Sequence, residues 1–246
     1  MLAVALVVLA AAPAHAQTMH AVIIGIDDYI EFEDEPVGDL LGAEADARAI
    51  EGILTDHWGL EPQNSRMLLG RSATMEAFHD AVTGWLSVRV APGDIAVFYF
   101  AGHGAQAYDL DGDEPDGLDE TLAPADVLPH SSVNDIRDDE FRTWLQAVPS
   151  QIVVILDSCH SGTATRASGP MRARSLDRPL PSENGQEPKA VRQAPDTEVM
   201  ADGRDRILEL AAAAPNQSAM EGPAIDDPAR YGGVFTRLLV EQLESA

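Results

Sequence analysis

Cysteine is nearly missing from this chain of 246 residues: Cys159 is the only one. No internal disulfide can form, so in an exported protein this thiol would not serve as a staple. Basic residues are scarce as well, with 16 Lys and Arg against 41 Asp and Glu and a formal charge of −25. A nucleic-acid surface needs a basic stripe, so that class of partner is excluded. The same balance suits a protein that attracts cations, either metal ions or basic side chains. A long apolar run is missing too. The stretch Leu2–Ala12 is too short to span a bilayer, and no transmembrane segment is expected in the mature chain.

What is present begins with that short run. Residues 1–16 carry no charged side chain and end in Ala14-His15-Ala16, an A-x-A cleavage signal before Gln17. They read as a signal peptide that lacks its basic n-region, so the protein is expected to be exported, periplasmic or extracellular. The remaining length suits one large α/β domain. Within it, 17–162 reads as a large catalytic segment, 163–203 as a flexible linker, and 204–246 as a smaller segment of the same domain.

Continuous apolar runs at His20–Ile26, Ile95–Phe100 and Gln151–Leu156 predict strands buried on both faces, and Arg66–Leu69 is a shorter candidate. Between them, Leu40, Ala43, Ala47, Ile50 and Leu54 recur at helical spacing until Gly59. Thr74 looks like the N-cap of a helix carrying Phe78, Val82, Trp85 and Leu86 on one face. Asp138–Val148 reads as a helix with carboxylates in its first turn, and Gly233–Leu243 as another. Arg206–Ala212 reads as a strand. Strands alternating with helices predict an open, mainly parallel β-sheet with helices on both faces. The stretch from His103 to about Pro129 reads as an acidic loop, and Thr163–Gly203, rich in Pro, Arg, Ser and Gly, as a mobile connection.

Two strand ends carry the chemistry. The run ending at Phe100 continues A-G-H-G and presents His103; the run ending at Leu156 continues D-S-C-H-S-G and presents Cys159. Carboxyl ends of parallel strands line one edge of such a sheet, where ligands bind. A thiol and an imidazole could meet there as nucleophile and base. A free cysteine has a pKa of about 8.5, so His103 would take its proton and later return it to a leaving amine. The backbone N–H groups of Gly104 and Cys159 are candidate oxyanion donors. Asp157, two residues before Cys159, projects to the same side and can floor a pocket for Arg or Lys.

These motifs carry a resemblance. H-A-V-I-I-G-I-D, L-L-G-A-E-A-D-A, F-Y-F-A-G-H-G-A-Q, D-L-D-G-D-E-P-D-G-L-D-E-T-L, I-R-D-D-E-F, V-V-I-L-D-S-C-H-S-G-T and G-G-V-F-T occur in order over residues 20–243. Together they resemble the caspase-like cysteine peptidases, most closely the metacaspase and bacterial orthocaspase branch. The resemblance implies a caspase-like fold, a His103/Cys159 dyad, and cleavage of proteins or peptides after Arg or Lys. It makes Asp46 a second acid of the pocket and aligns the 163–203 insert with the region between large and small subunits. Ala101 stands where the family often has Ser, and the chain ends soon after G-G-V-F-T, where family domains often continue with a strand.

The dyad itself requires no cofactor. Calcium is a further expectation, because Asp109, Asp111, Asp113, Glu114, Asp116, Asp119 and Glu120 crowd one loop of hard oxygen donors. Glu114 stands where an EF-hand needs Gly, which excludes that motif. The resemblance implies instead a site from this loop, taken here as Asp116 and Asp119, with the pair Asp138 and Asp139. Arg166 occupies the remaining ligand position and could replace the metal. Arg166, Arg172, Arg174 and Arg178 all lie in the insert, which makes it a candidate for self-cleavage. Two alternatives remain open: a catalytically silent caspase-fold module that binds partners or calcium, and a Cys-dependent acyltransferase, which would not need Asp157.

Overall fold

The computed structural model describes residues 17–32, 36–114, 117–159, 170–176, 206–213, 218–224, 227 and 229–246. The signal-peptide reading of 1–16 lies outside them, as do Asp116, Arg166 and Arg178. The apolar runs do form strands: β1 (Met19–Gly25), β2 (Ser65–Leu69), β3 (Ile95–Ala101), β7 (Gln151–Asp157) and β9 (Ile207–Ala211). They make one sheet in the order β2-β1-β3-β7-β9, with every pairing parallel. The expected mainly parallel sheet with helices on both faces is what the chain adopts.

Alternation along the strands builds two cores. Val22, Ile24, Phe98, Phe100, Val154 and Leu156 face one way, onto Phe78, Val82 and Leu86 and onto Phe141, Trp144 and Leu145. The first three of these partners belong to α2 (Met75–His79) and the π-helical turn Asp80–Leu86 that continues it into α3 (Ser87–Arg89). The last three belong to α4 (Asp138–Gln146). Ala21, Ile23, Val97, Tyr99 and Ile155 face the other way, onto α1 (Ala43–Trp58) and α5 (Val234–Glu244). A strand buried on both faces must be apolar at every position, which is why β1, β3 and β7 read as unbroken runs.

Two small antiparallel sheets depart from the sequence reading. The acidic stretch after His103 is no simple loop: β4 (Gly104–Tyr108), β5 (Leu118–Leu122) and β6 (Ile136–Arg137) pair in the order β4-β5-β6. The third sheet, in the order β11-β10-β8, joins β10 (Met220–Pro223) and β11 (Tyr231–Gly233) to β8 (Arg172–Ala173), a piece of the insert. Residues 170–176 are thus tied into the domain rather than hanging from it.

Candidate active site

Register places the two motifs side by side. Ala101 of β3 pairs with Asp157 of β7, so both strands end level, and His103 and Cys159 each follow two residues later. The turns are pressed together: a β-carbon on Gly104 would collide with the carbonyl oxygen of Cys159. Only glycine permits that approach.

His103 is 5% exposed. Its backbone N–H donates to the Tyr29 hydroxyl at 2.8 Å, and Nε2 lies 2.8 Å from the Gly38 carbonyl. A carbonyl only accepts, so Nε2 carries the proton and Nδ1 keeps a free lone pair. Nδ1 is buried and makes no hydrogen bond among the described residues. Burial pushes the imidazole pKa down to about 4, with the Gly38 carbonyl opposing and the charge of Arg174 adding to the fall. Burial likewise raises the pKa of the Cys159 thiol. Both groups rest neutral at pH 7, the thiol donating to the Ala219 carbonyl at 3.3 Å.

Arg174 fills the space in front of them. It was expected on an exposed, mobile insert, yet its side chain is 0% exposed. The reason is charge: buried arginine must be paired, and three carboxylates surround it. Nη1 lies 2.8 Å from Asp157 Oδ2, and Nη2 lies 2.5 Å from Asp46 Oδ2 and 3.5 Å from Glu221 Oε2. Burial opposes the guanidinium charge, but Asp157 and Asp46 more than offset it and its pKa is raised. Burial also pushes the Asp46 carboxyl up to about 7, against the pull of Arg174.

The backbone around Arg174 is held as tightly. Its N–H donates to Ala219 at 3.0 Å, and its carbonyl accepts from both Gly104 N–H and Cys159 N–H at 3.0 Å each. Leu176 N–H donates to Gly104 at 2.9 Å. On the near side β8 pairs antiparallel with β10, Ala173 opposite Met220 and Arg172 opposite Glu221. Residues 172–176 are therefore clamped between β10 and Gly104, with the two-residue strand β8 at one end, a bend at Arg174 and a bridge from Ser175 to Gly104. The Arg174–Ser175 peptide bond lies between the clamps, and the Cys159 thiol and the Arg174 N–H converge on one oxygen, that of Ala219.

Of the residues singled out from sequence, His103, Gly104, Cys159, Asp157, Asp46 and Arg174 come together here. Arg172 does not join the pocket; its Nη1 donates to the Asp39 carbonyl at 3.2 Å on the exposed side. Glu221 was missed. It is 0% exposed, and its carboxylate also accepts from the N–H groups of Leu41 and Gly42 ahead of α1. A lone acid inside A-M-E-G-P was its only signal.

Among the described residues the acidic region forms three groups instead of one, and the first is Asp109, Asp111 and Asp113, the last of which is shared with the second group. Ligand oxygens of Asp113, Asp119 and Asp139 lie within 4.8 Å of one another, and so do those of Glu114, Glu120 and Asp138. Arg137 Nε sits 2.8 Å from the buried Asp119 Oδ2, so this cation neighbours the cluster where Arg166 was expected to. Burial, with Arg137 opposing and Asp109, Asp138 and Asp139 adding, raises the Asp119 carboxyl to about 7.

A family model described as the caspase domain matches residues 18–246. The chain belongs to the caspase-domain family. Among caspase-domain relatives, Metacaspase-1 of Cryptococcus neoformans var. neoformans is 33% identical over 137 residues, 51% of this chain and 28% of that protein. Metacaspase-1 of Schizosaccharomyces pombe is 32% identical over 153 residues, 58% of this chain and 34% of that protein. A crystal structure of a protein from Geobacter sulfurreducens matches with a TM-score of 0.64 and 26% identity, covering 93% of this chain and 82% of that one. The caspase-domain chain aligns with about a third of the length of these curated relatives. No helix among the described residues is long and apolar enough to cross a membrane.

A buried, neutral thiol under a clamped strand should be slow to alkylate. Iodoacetamide is expected to label Cys159 of the intact chain at a small fraction of the rate seen after the 170–176 segment is displaced, with labelling of the intact chain rising as pH climbs toward the raised thiol pKa. Mass spectrometry of the alkylated peptide reads both rates; fast labelling of the intact chain at neutral pH would contradict the covered, neutral state.

Proposed function

We propose that the protein is a cysteine endopeptidase that cleaves after basic residues and that its own Arg174–Ser175 bond is its first substrate. One observation carries this reading: the Arg174 carbonyl accepts from Gly104 and Cys159 while its guanidinium lies among Asp157, Asp46 and Glu221.

The chemistry follows from those contacts. His103 Nδ1 takes the thiol proton, and the Cys159 sulfur attacks the Arg174 carbonyl carbon. The oxygen becomes an oxyanion held by the two N–H groups already aimed at it. Collapse breaks the C–N bond, the proton on His103 passes to the new amine of Ser175, and a thioester remains on Cys159. Water, deprotonated by His103, then hydrolyses the thioester and frees the thiol. A protein substrate with a basic P1 residue would follow the same course once 170–176 has moved aside.

The acidic groups near Asp119 and Asp138 fit calcium by donor type, since every side chain offers a carboxylate oxygen. Asp119, Asp139 and Asp113 would hold one ion, and Asp138, Glu120 and Glu114 another; the metal would offset the burial, and after it the mutual repulsion, that raise Asp119, Asp138 and Asp139. No catalytic step uses it. Export through residues 1–16 is part of the same proposal and rests on the leader pattern alone.

The test is turnover of paired fluorogenic peptides ending in Arg, Lys or Asp, with calcium and with chelator. Arg is expected to exceed Lys by about tenfold or more, because the fork of Arg174 reaches Asp157 with one nitrogen and Asp46 with the other, and a single ammonium cannot span both. Chelation should lower turnover and Tm together if the acidic groups bind calcium. No turnover of any peptide with calcium present would favour the silent binding module.

A further inference from the structure

Among its described residues, helix α5 buries one side chain fully, and that side chain is polar: Thr236, 1% exposed. A buried hydroxyl needs partners. Thr236 Oγ1 donates to Asp157 Oδ2 at 2.6 Å, and Tyr99 Oη lies 2.7 Å from the same Oγ1. Threonine has one hydroxyl proton and a carboxylate only accepts, so Tyr99 must be the donor in the second bond. Tyr99 stays a phenol, because burial, then Asp157 and Asp46, raise its pKa well above the ordinary value.

Asp157 Oδ2 therefore holds both Thr236 and the Arg174 guanidinium, while Oδ1 is buried without a partner among the described residues. Asp46 is fixed from the same segment: its Oδ2 accepts from Gly233 N–H at 2.6 Å. A β-carbon on Gly233 would collide with Asp157 Oδ2, so the chain must be bare where it enters α5. Residues 233–236 thus orient two pocket acids that lie 187 and 79 positions away in sequence.

We propose that Thr236, backed by Tyr99, is a positioning residue for recognition of basic side chains: it holds the Asp157 carboxylate in the orientation that meets the P1 guanidinium, so that the pocket is complete only when α5 is docked. The inference rests on reading Arg174 as a substrate residue.

Binding separates this role from catalysis. In the chain carrying Cys159→Ala and Arg174→Ala, the side-chain pocket is vacated while the backbone of 172–176 stays in place, and no bond is cut; n-propylguanidinium, the arginine side chain without its backbone, is titrated by calorimetry. Adding Thr236→Val should weaken binding about tenfold, as expected for a lost hydrogen bond to a charged group. Thr236→Ser, which keeps the hydroxyl, should restore it, and Tyr99→Phe should cost about threefold. In the active chain Thr236→Val should raise KM for Arg peptides by about tenfold and leave kcat within about twofold. A merely structural role would lower kcat and Tm with it and would not be rescued by Ser. Equal affinity of the Val and Ser variants overturns the proposal while the basic pocket stands. A vacated parent that does not bind n-propylguanidinium overturns the pocket reading itself. Should Thr236→Val not fold, unchanged affinity in Tyr99→Phe overturns the relay.

Discussion

Purified protein is expected to yield two fragments that meet between Arg174 and Ser175, and Cys159→Ala is expected to remain one chain. Loss of a nucleophile from a unit of this kind lowers the rate by at least about 10⁴-fold, because the remaining donors and binding contacts cannot replace bond formation. Intact-mass measurement over time reads the cut directly. Position is the sharper part of the expectation. Arg172, Arg174 and Arg178 are near in sequence, but Arg172 faces solvent opposite Glu221 while Arg174 has both its carbonyl and its guanidinium engaged. Arg174→Ala should therefore abolish the cut at this bond and leave Arg172 uncut as well. Cleavage at another arginine at the same rate, or equal cleavage of the Cys159→Ala chain, would remove the basis of the proposed function.

The second large effect concerns Asp157. Asp157→Asn keeps the shape and can still accept from Thr236, but it takes a negative charge from a site with no water-exposed surface at this residue. Breaking one side of a buried ion pair costs about 3–5 kcal/mol. That corresponds to roughly 150- to 5,000-fold in kcat/KM for Arg peptides. Asp46 and Glu221 retain contact with the guanidinium, which is why the loss should fall short of that for Cys159→Ala. Alkylation of the Cys159 thiol in the displaced state should be unchanged, since the sulfur does not depend on this carboxylate. A variant that still turns over Arg peptides within about threefold of the parent would mean that Asp157 is not the principal partner of P1.

Much of this was readable from residue order. β1, β3 and β7 announce themselves because both faces are buried, and parallel register then brings the residues two beyond β3 and β7, His103 and Cys159, to the same edge of the sheet. Asp157 followed from period-two geometry. Asp46 came from resemblance alone, and its burial against Arg174 and Gly233 decides against a solvated helix charge. What escaped was set by contacts through space. β4 to β6 are short and mix small, polar and charged residues, with Asp119 buried against Arg137, so they contain no apolar run and resemble a loop. β8 has two residues, too few for any periodicity, and is a strand only because β10 is beside it. Arg174 is buried because three acids from separate parts of the chain surround it, a fact no local window contains. Thr236 sits in a helix that the apolar spacing located well enough, but one inward hydroxyl has meaning only once Asp157 and Tyr99 are found on its two sides.

The clamped segment 172–176 also bears on how the protein would respond to dilution. The bond to be cut and the sulfur that would cut it belong to one molecule and are already in register, so their encounter does not depend on other copies. Conversion would be first order, with the same half-time in a dilute extracellular fluid as in a crowded cell, and no threshold of protein concentration would protect the intact form. Delay could come only from whatever governs the step itself, such as proton transfer between two neutral groups or the docking of one helix. Each molecule would carry its own timer.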